Sequence, residues 1–232
     1  MRHSIPLLLL IISLMGASAC GDRNESSSDR PATNTVPVTP TRPAEPEVSQ
    51  ETFNVVFEDL NPQRYTVKGT GTIIKDRDDL QVNMNMTKVP RNRRITQRIF
   101  NGKCPTAADD ANGDGYLDFA ETSETLGQPI IGLDKNINTT TGGRGVFPLS
   151  SSLGKYDYRA SGLVSRIVVD IQSVGADEGL DLGNSVVVIQ GLPTFYRLPA
   201  TVAGLEGESA LETLPLACGK VEAVIFKELV TE

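Results

Sequence analysis

From residue 52 onward, apolar side chains recur at every second position far more often than at helical spacing. Leu80, Val82, Met84 and Met86 alternate with Gln81, Asn83 and Asn85, the pattern of a strand with one face buried. Similar runs occupy Phe53–Phe57, Tyr65–Ile74, Ile95–Phe100, Leu163–Ile171, Val186–Ile189 and Val221–Phe226, separated by Gly, Asn, Asp or Pro turns. Seven or more short strands in about 180 residues predict an all-β domain over residues 51–232, a sandwich or Greek-key β-barrel with long loops. Helix is expected only in the connections, with Phe119–Leu126 one candidate. Neither the repeat period of a propeller or solenoid nor a coiled-coil heptad is visible.

The N-terminus reads differently. Arg2 and His3 precede an apolar run, Ile5–Met15, which has the length of a signal-peptide core and is too short to cross a bilayer. It ends in Gly16-Ala17-Ser18-Ala19-Cys20-Gly21, which resembles the lipobox of bacterial lipoproteins, although Ala17 stands where Leu is commoner. The resemblance implies a leader over residues 1–19, acylation of Cys20 and, with Gly21 next in a Gram-negative host, sorting to the outer membrane. A plain secretory cut after Ala19 is the alternative. Residues 20–50 hold Ser26-Ser27-Ser28 and prolines 32, 37, 40, 43 and 46 with almost no large apolar side chain. Such a stretch buries too little surface to offset its ordering entropy and reads as a disordered tether.

Composition narrows the function. The chain has 232 residues and a net charge of −7, the wrong sign for a protein that neutralises phosphate backbones, so nucleic acid is not expected as a partner. The single histidine is His3, inside the leader. Cleavage after residue 19 removes one of 22 basic residues and none of 29 acidic ones, leaving 21 against 29, a net of −8 with no imidazole. Chemistry that needs a histidine base or ligand is thereby excluded from the mature chain. Of three cysteines, lipidation of Cys20 leaves Cys104 and Cys218 as one pair for an oxidising compartment, or as two buried thiols.

The strongest local motif is Asp110-Ala-Asn112-Gly-Asp114-Gly115-Tyr116-Leu117-Asp118-Phe-Ala-Glu121, which fills the twelve-residue EF-hand loop pattern. A hard cation such as calcium takes six to eight oxygens from alternate positions of a curled loop closed by a bidentate carboxylate. Asp110, Asn112 and Asp114 supply the first three oxygens on this reading, the Tyr116 carbonyl the next, Asp118 one directly or through water, and Glu121 two. Gly115 allows the sharp turn, and Leu117 stands beside the loop's short backbone pairing. Cys104-Pro105-Thr106 does not read as an entering helix, so a static structural site is expected rather than a paired sensor. The bland alternative is an ordinary polar turn.

Three segments, in order, resemble secreted bacterial relatives of copper/zinc superoxide dismutase. Thr96-Gln97-Arg98-Ile99-Phe100-Asn101-Gly102-Lys103-Cys104-Pro105 looks like the strand that carries a His-x-His pair before the first disulfide cysteine. Val186-Val187-Val188-Ile189-Gln190-Gly191 is similar to the strand ending in a further copper-binding histidine. Leu216-Ala217-Cys218-Gly219-Lys220-Val221 is similar to the segment with the second cysteine. The resemblance implies a Greek-key barrel and a Cys104–Cys218 bridge. It also puts the catalytic histidines on Arg98, Phe100 and Gln190 and the superoxide-guiding arginine on Pro215. None of these can hold redox copper, and no histidine replaces them, so copper and zinc are expected to be absent.

Other chemistry is thinner. No spacing suggests a Ser–Lys pair, and Gly142-Gly143-Arg144-Gly145 lacks the ending of a phosphate loop. Asp177, Glu178 and Asp181 form a second acidic cluster that reads as a solvated turn. Arg91, Arg93, Arg94 and Arg98 form the one basic run, either a charged strand edge or a contact for anionic lipid or glycan. The expectation is an exported lipoprotein facing periplasm or cell surface, anchored to the membrane, with calcium in a structural loop and an envelope protein or glycan as partner. An envelope enzyme, redox-related or a carboxylate-based hydrolase, is the alternative.

Overall fold

The computed structural model describes residues 50–61, 64–137, 146–173 and 180–225. The expectations for the leader, Cys20, the tether, Gly142–Gly145, and Asp177 and Glu178 lie outside these residues. Eight strands form one antiparallel sheet: β1 (Glu51–Asp59), β2 (Lys68–Asp76), β3 (Asp79–Thr87), β4 (Thr96–Phe100), β5 (Pro129–Gly132), β6 (Lys155–Leu163), β7 (Val186–Gln190) and β8 (Pro215–Ala223). Their spatial order is β5-β4-β7-β8-β1-β2-β3-β6. Sequential hairpins build β1–β2–β3, while β6 returns to pair with β3 and β7 returns to pair with β4.

The sheet curls into a half-barrel. Its concave side gathers Phe53, Val55 and Phe57 of β1, Leu80, Val82, Met84 and Met86 of β3, and Val187 and Ile189 of β7. These are the inward halves of period-two patterns, and polar Asn54, Gln81 and Asn85 point the other way. The curl brings the two terminal strands together. Tyr156 and Tyr158 of β6 reach inward so that the first hydroxyl donates to Gln97 Oε1 of β4 at 2.8 Å and the second to the Asp134 carbonyl just beyond β5 at 2.7 Å. Burial pushes both phenols far above the ordinary tyrosine value.

β7 is buried along its whole length. Its outward residues Val186 and Val188 lie with Phe100, Phe119, Leu126 and Cys218 in a second apolar cluster under the β4–β5 connection. This explains why Val186–Ile189 is continuously apolar whereas β3 alternates. Cys104 in that connection is bonded to Cys218 of β8 across 114 residues, which in the chain-entropy account stabilises by about 5 kcal/mol.

Helix α1 (Phe119–Leu126) forms where the sequence predicts it. Leu163–Ile171, read as a strand, is corrected: β6 ends at Leu163 and α2 (Val164–Ser173) follows. Ile167 and Ile171 are buried four residues apart with Val169 exposed between them, so the run has helical rather than alternating spacing. A third, one-turn helix, α3 (Ala210–Thr213), precedes β8. Among the described residues no helix is long and apolar enough to cross a membrane.

Candidate functional site

Between Cys104 and β5 the chain makes a single 3₁₀ turn (Ala107–Asp109), then the acidic loop, then α1. Thr106 caps the turn, and its N–H bond to Asp109, reinforced by the Thr125 hydroxyl of α1, holds the Asp109 carboxyl below the usual range. One side of the loop is thus a 3₁₀ turn and the other a true helix, as the Cys-Pro-Thr segment leads one to expect.

Within the loop the oxygens converge on main-chain N–H groups. Asp110 accepts from Gly113 at 2.8 Å and Gly115 at 2.9 Å, Asn112 from Asp114 at 2.8 Å, and Asp114 from Tyr116 at 2.8 Å. Gly113 and Gly115 hold φ of 70° and 82° with open space around both, so backbone conformation demands glycine there. Asp118 is the N-cap of α1, accepting from Glu121 N–H while Glu121 reaches back to the N–H of Asp118. The other oxygen of Glu121 accepts from Asn112 N–H at 3.0 Å, closing the loop's end onto its beginning. All six residues read from the motif therefore belong to one closed turn. Among the described residues, however, no three carboxylate or thiol groups stand together as a formed metal cluster. Each carboxylate oxygen retains a lone pair beyond the one it uses, so the donor set still suits a hard cation.

Several residues that hold this loop escape the motif. Asn61, fully buried after β1, donates to the Leu117 carbonyl at 3.1 Å and the Pro215 carbonyl at 2.6 Å and accepts from Leu117 N–H at 2.9 Å. Asp118, itself buried, accepts from Ala203 N–H at 2.6 Å, and Asp114 accepts from the Thr201 hydroxyl. Arg64 donates to the Tyr116 hydroxyl and lies over that ring at 5.2 Å. Asn61 and Thr201 lie 56 and 87 positions from their partners in the loop and sit in turn-like sequence, where no local pattern marks them.

The positions that the resemblance assigns to copper ligands lie on the outer face of β4 and β7. Arg98, almost wholly buried, donates to Gln190 Oε1 at 2.8 Å and to both carboxylate oxygens of Glu208 at 2.8 Å, with the Phe147 ring 5.9 Å from its guanidinium. Gln190 also donates to the Thr213 carbonyl at 3.1 Å. Phe100 packs on Phe119 with ring centroids 5.7 Å apart, and Pro215 opens β8. Glu208 is a further residue that the sequence does not announce. Nη2 of Arg98 is shared between the two Glu208 oxygens while Nη1 meets the Gln190 amide, so the three groups form one buried ion pair with an amide beside it. No protein-family model matches the chain, and no curated protein matches its sequence.

Proposed function

We propose that the chain is an exported lipoprotein, held to the outer membrane through acylated Cys20 and the tether of residues 20–50. Its barrel resembles copper/zinc superoxide dismutase without the redox-metal ligands and serves as a non-catalytic binding protein of the envelope. The contact between Arg98 and Gln190 carries this reading. Two positions that correspond to copper-binding histidines in the resemblance are neighbours, as ligands of one ion have to be, yet one is a guanidinium with no lone pair to give. Glu208 neutralises that guanidinium, and Phe100 at the third position packs against an aromatic ring. The long returns that pair β3 with β6 and β4 with β7 support the Greek-key form of the barrel.

Loop 110–121 is, on this reading, a structural calcium site. Asp110, Asn112, Asp114, Asp118 and Glu121 give side-chain oxygens and Tyr116 its carbonyl. The ion supplies charge neutralisation that fixes the loop on β1 and β8 through Asn61. The number and mixture of oxygens favours calcium over magnesium, which keeps a smaller, wetter shell. Atomic emission on the purified protein, reading copper, zinc and calcium together beside a superoxide assay, is the test. About one calcium per chain without copper or zinc is expected. Stoichiometric copper with superoxide turnover overturns the non-catalytic reading, and absence of calcium overturns the loop reading alone.

A further inference from the structure

At one end of the sheet, the β1–β2, β3–β4 and β7–α3 connections and the approach to β6 enclose a groove of about 450 Å³, within the range of small-ligand sites. Arg64, Lys88 and Arg91 line it, and none of the described residues lining it is acidic. On a chain with 29 acidic against 22 basic residues, three cations gathered around one concavity without a carboxylate make a local field opposite to the net charge. Tyr65 adds no negative charge. Burial, aided by the hydrogen bond and charge interaction with Tyr196, pushes its hydroxyl up to about 12 against the pull of Arg93 and Arg91.

The groove also carries aromatic surface. Phe195 is 79% exposed and stacks on Tyr196 at 4.9 Å, Tyr196 in turn meets Tyr65 at 6.1 Å, and Arg64 lies over Tyr196 at 5.7 Å. Leu153, 70% exposed, lines the same groove. The backbone around Arg91 is held firmly. Buried Ser150 donates to the Pro90 carbonyl at 2.5 Å and accepts from Arg93 N–H at 3.2 Å. Lys88 and Asn92 on either side take left-handed φ of 57° and 54°, costly for lysine though tolerated by asparagine. The cations are thus presented on an anchored turn.

We infer that this groove binds an anionic carbohydrate, its acidic substituents meeting Arg64, Lys88 and Arg91 and the apolar face of a ring lying on Phe195. A basic cluster meets an acidic peptide as readily as an acidic sugar, but the exposed Phe195 ring beside the cations adds a flat apolar face suited to a sugar ring. A lipid surface is flat, and this site is concave. Arg64 also meets the Tyr116 hydroxyl of loop 110–121, whereas Lys88, Arg91 and Phe195 carry the inference whatever ion that loop holds.

Titration calorimetry of the full mature protein at low salt tests it, with hexagalacturonate and mannose 6-phosphate as carboxylate and phosphate arms and cellohexaose as the neutral control. Saturable binding in either acidic arm is expected, and the arm that responds names the anionic group. Cellohexaose should give no heat. Lys88→Gln with Arg91→Gln should weaken binding about tenfold or more, with an unchanged melting temperature, because charge-assisted bonds are lost from exposed side chains. Phe195→Ala should weaken the sugar as well. Equal binding of cellohexaose, indifference to the double variant, or binding of hexaglutamate or phosphatidylglycerol vesicles without either acidic sugar overturns the inference.

Discussion

The side-chain amide of Asn61 and the peptide group of Leu117 exchange two hydrogen bonds, N–H to Oδ1 at 2.9 Å and Nδ2 to the carbonyl at 3.1 Å. The eighth residue of the acidic loop thus finds partners for both its main-chain groups in one side chain. The same Nδ2 reaches the Pro215 carbonyl at the start of β8, which ties the loop to the sheet.

Removal of that amide takes a side-chain partner from three main-chain groups, the Leu117 N–H and carbonyl and the Pro215 carbonyl. Asn61→Ala is expected to cost about 3 kcal/mol in urea unfolding. Asn61→Asp should cost nearly as much, since a carboxylate still accepts from Leu117 but donates to neither carbonyl. An Asn61→Ala protein as stable as the parent contradicts the clamp.

Calcium in excess is expected to raise the melting temperature of the mature protein by about 5–10 °C at a hundredfold over Kd. Asp110→Ala or Glu121→Ala should abolish the rise while leaving the β-sheet circular dichroism intact. Identical parent melts with calcium and with chelator count against a structural ion.

Arg98 and Glu208 are expected to be strongly coupled. Glu208→Ala strands a buried guanidinium and should destabilise by about 3 kcal/mol. Adding Arg98→Met removes the stranded charge, so the double variant should be more stable than Glu208→Ala alone. Additive losses in a double-mutant cycle show that the pair is not the unit described.

Alkaline pH should loosen the barrel at Tyr156 and Tyr158. Their folded pKa values lie above the unfolded one, so the unfolded chain releases protons first. Stability is complete below about pH 10 and falls as pH rises beyond it, by up to about 1.4 kcal/mol per pH unit for each buried phenol. Tyr156→Phe costs a hydrogen bond at neutral pH but should flatten the alkaline slope. Denaturation midpoints measured from pH 8 to pH 11 decide it.

The strands that alternate cleanly, β1 and β3, and helix α1 were legible because each is fixed by neighbours in sequence, whereas the Asp118/Glu121 cap is seen only in the structure. β6 was not, since Tyr156, Tyr158 and Ala160 alternate among Lys155, Asp157 and Arg159 beside a stronger apolar run that belongs to α2. The acidic loop could be read residue by residue, but its anchors could not. Asn61 and Glu208 act on partners 56 and 110 positions away, and only the folded sheet sets those pairs.

Helix α2 rests against both β5 and β6, the first and last strands of the ladder. A helix that follows β6 directly and touches β5 narrows the open margin left to a stray chain. Wherever copies of the molecule meet, that disfavours edge-to-edge pairing, and trimming α2 should increase self-association, read by sedimentation.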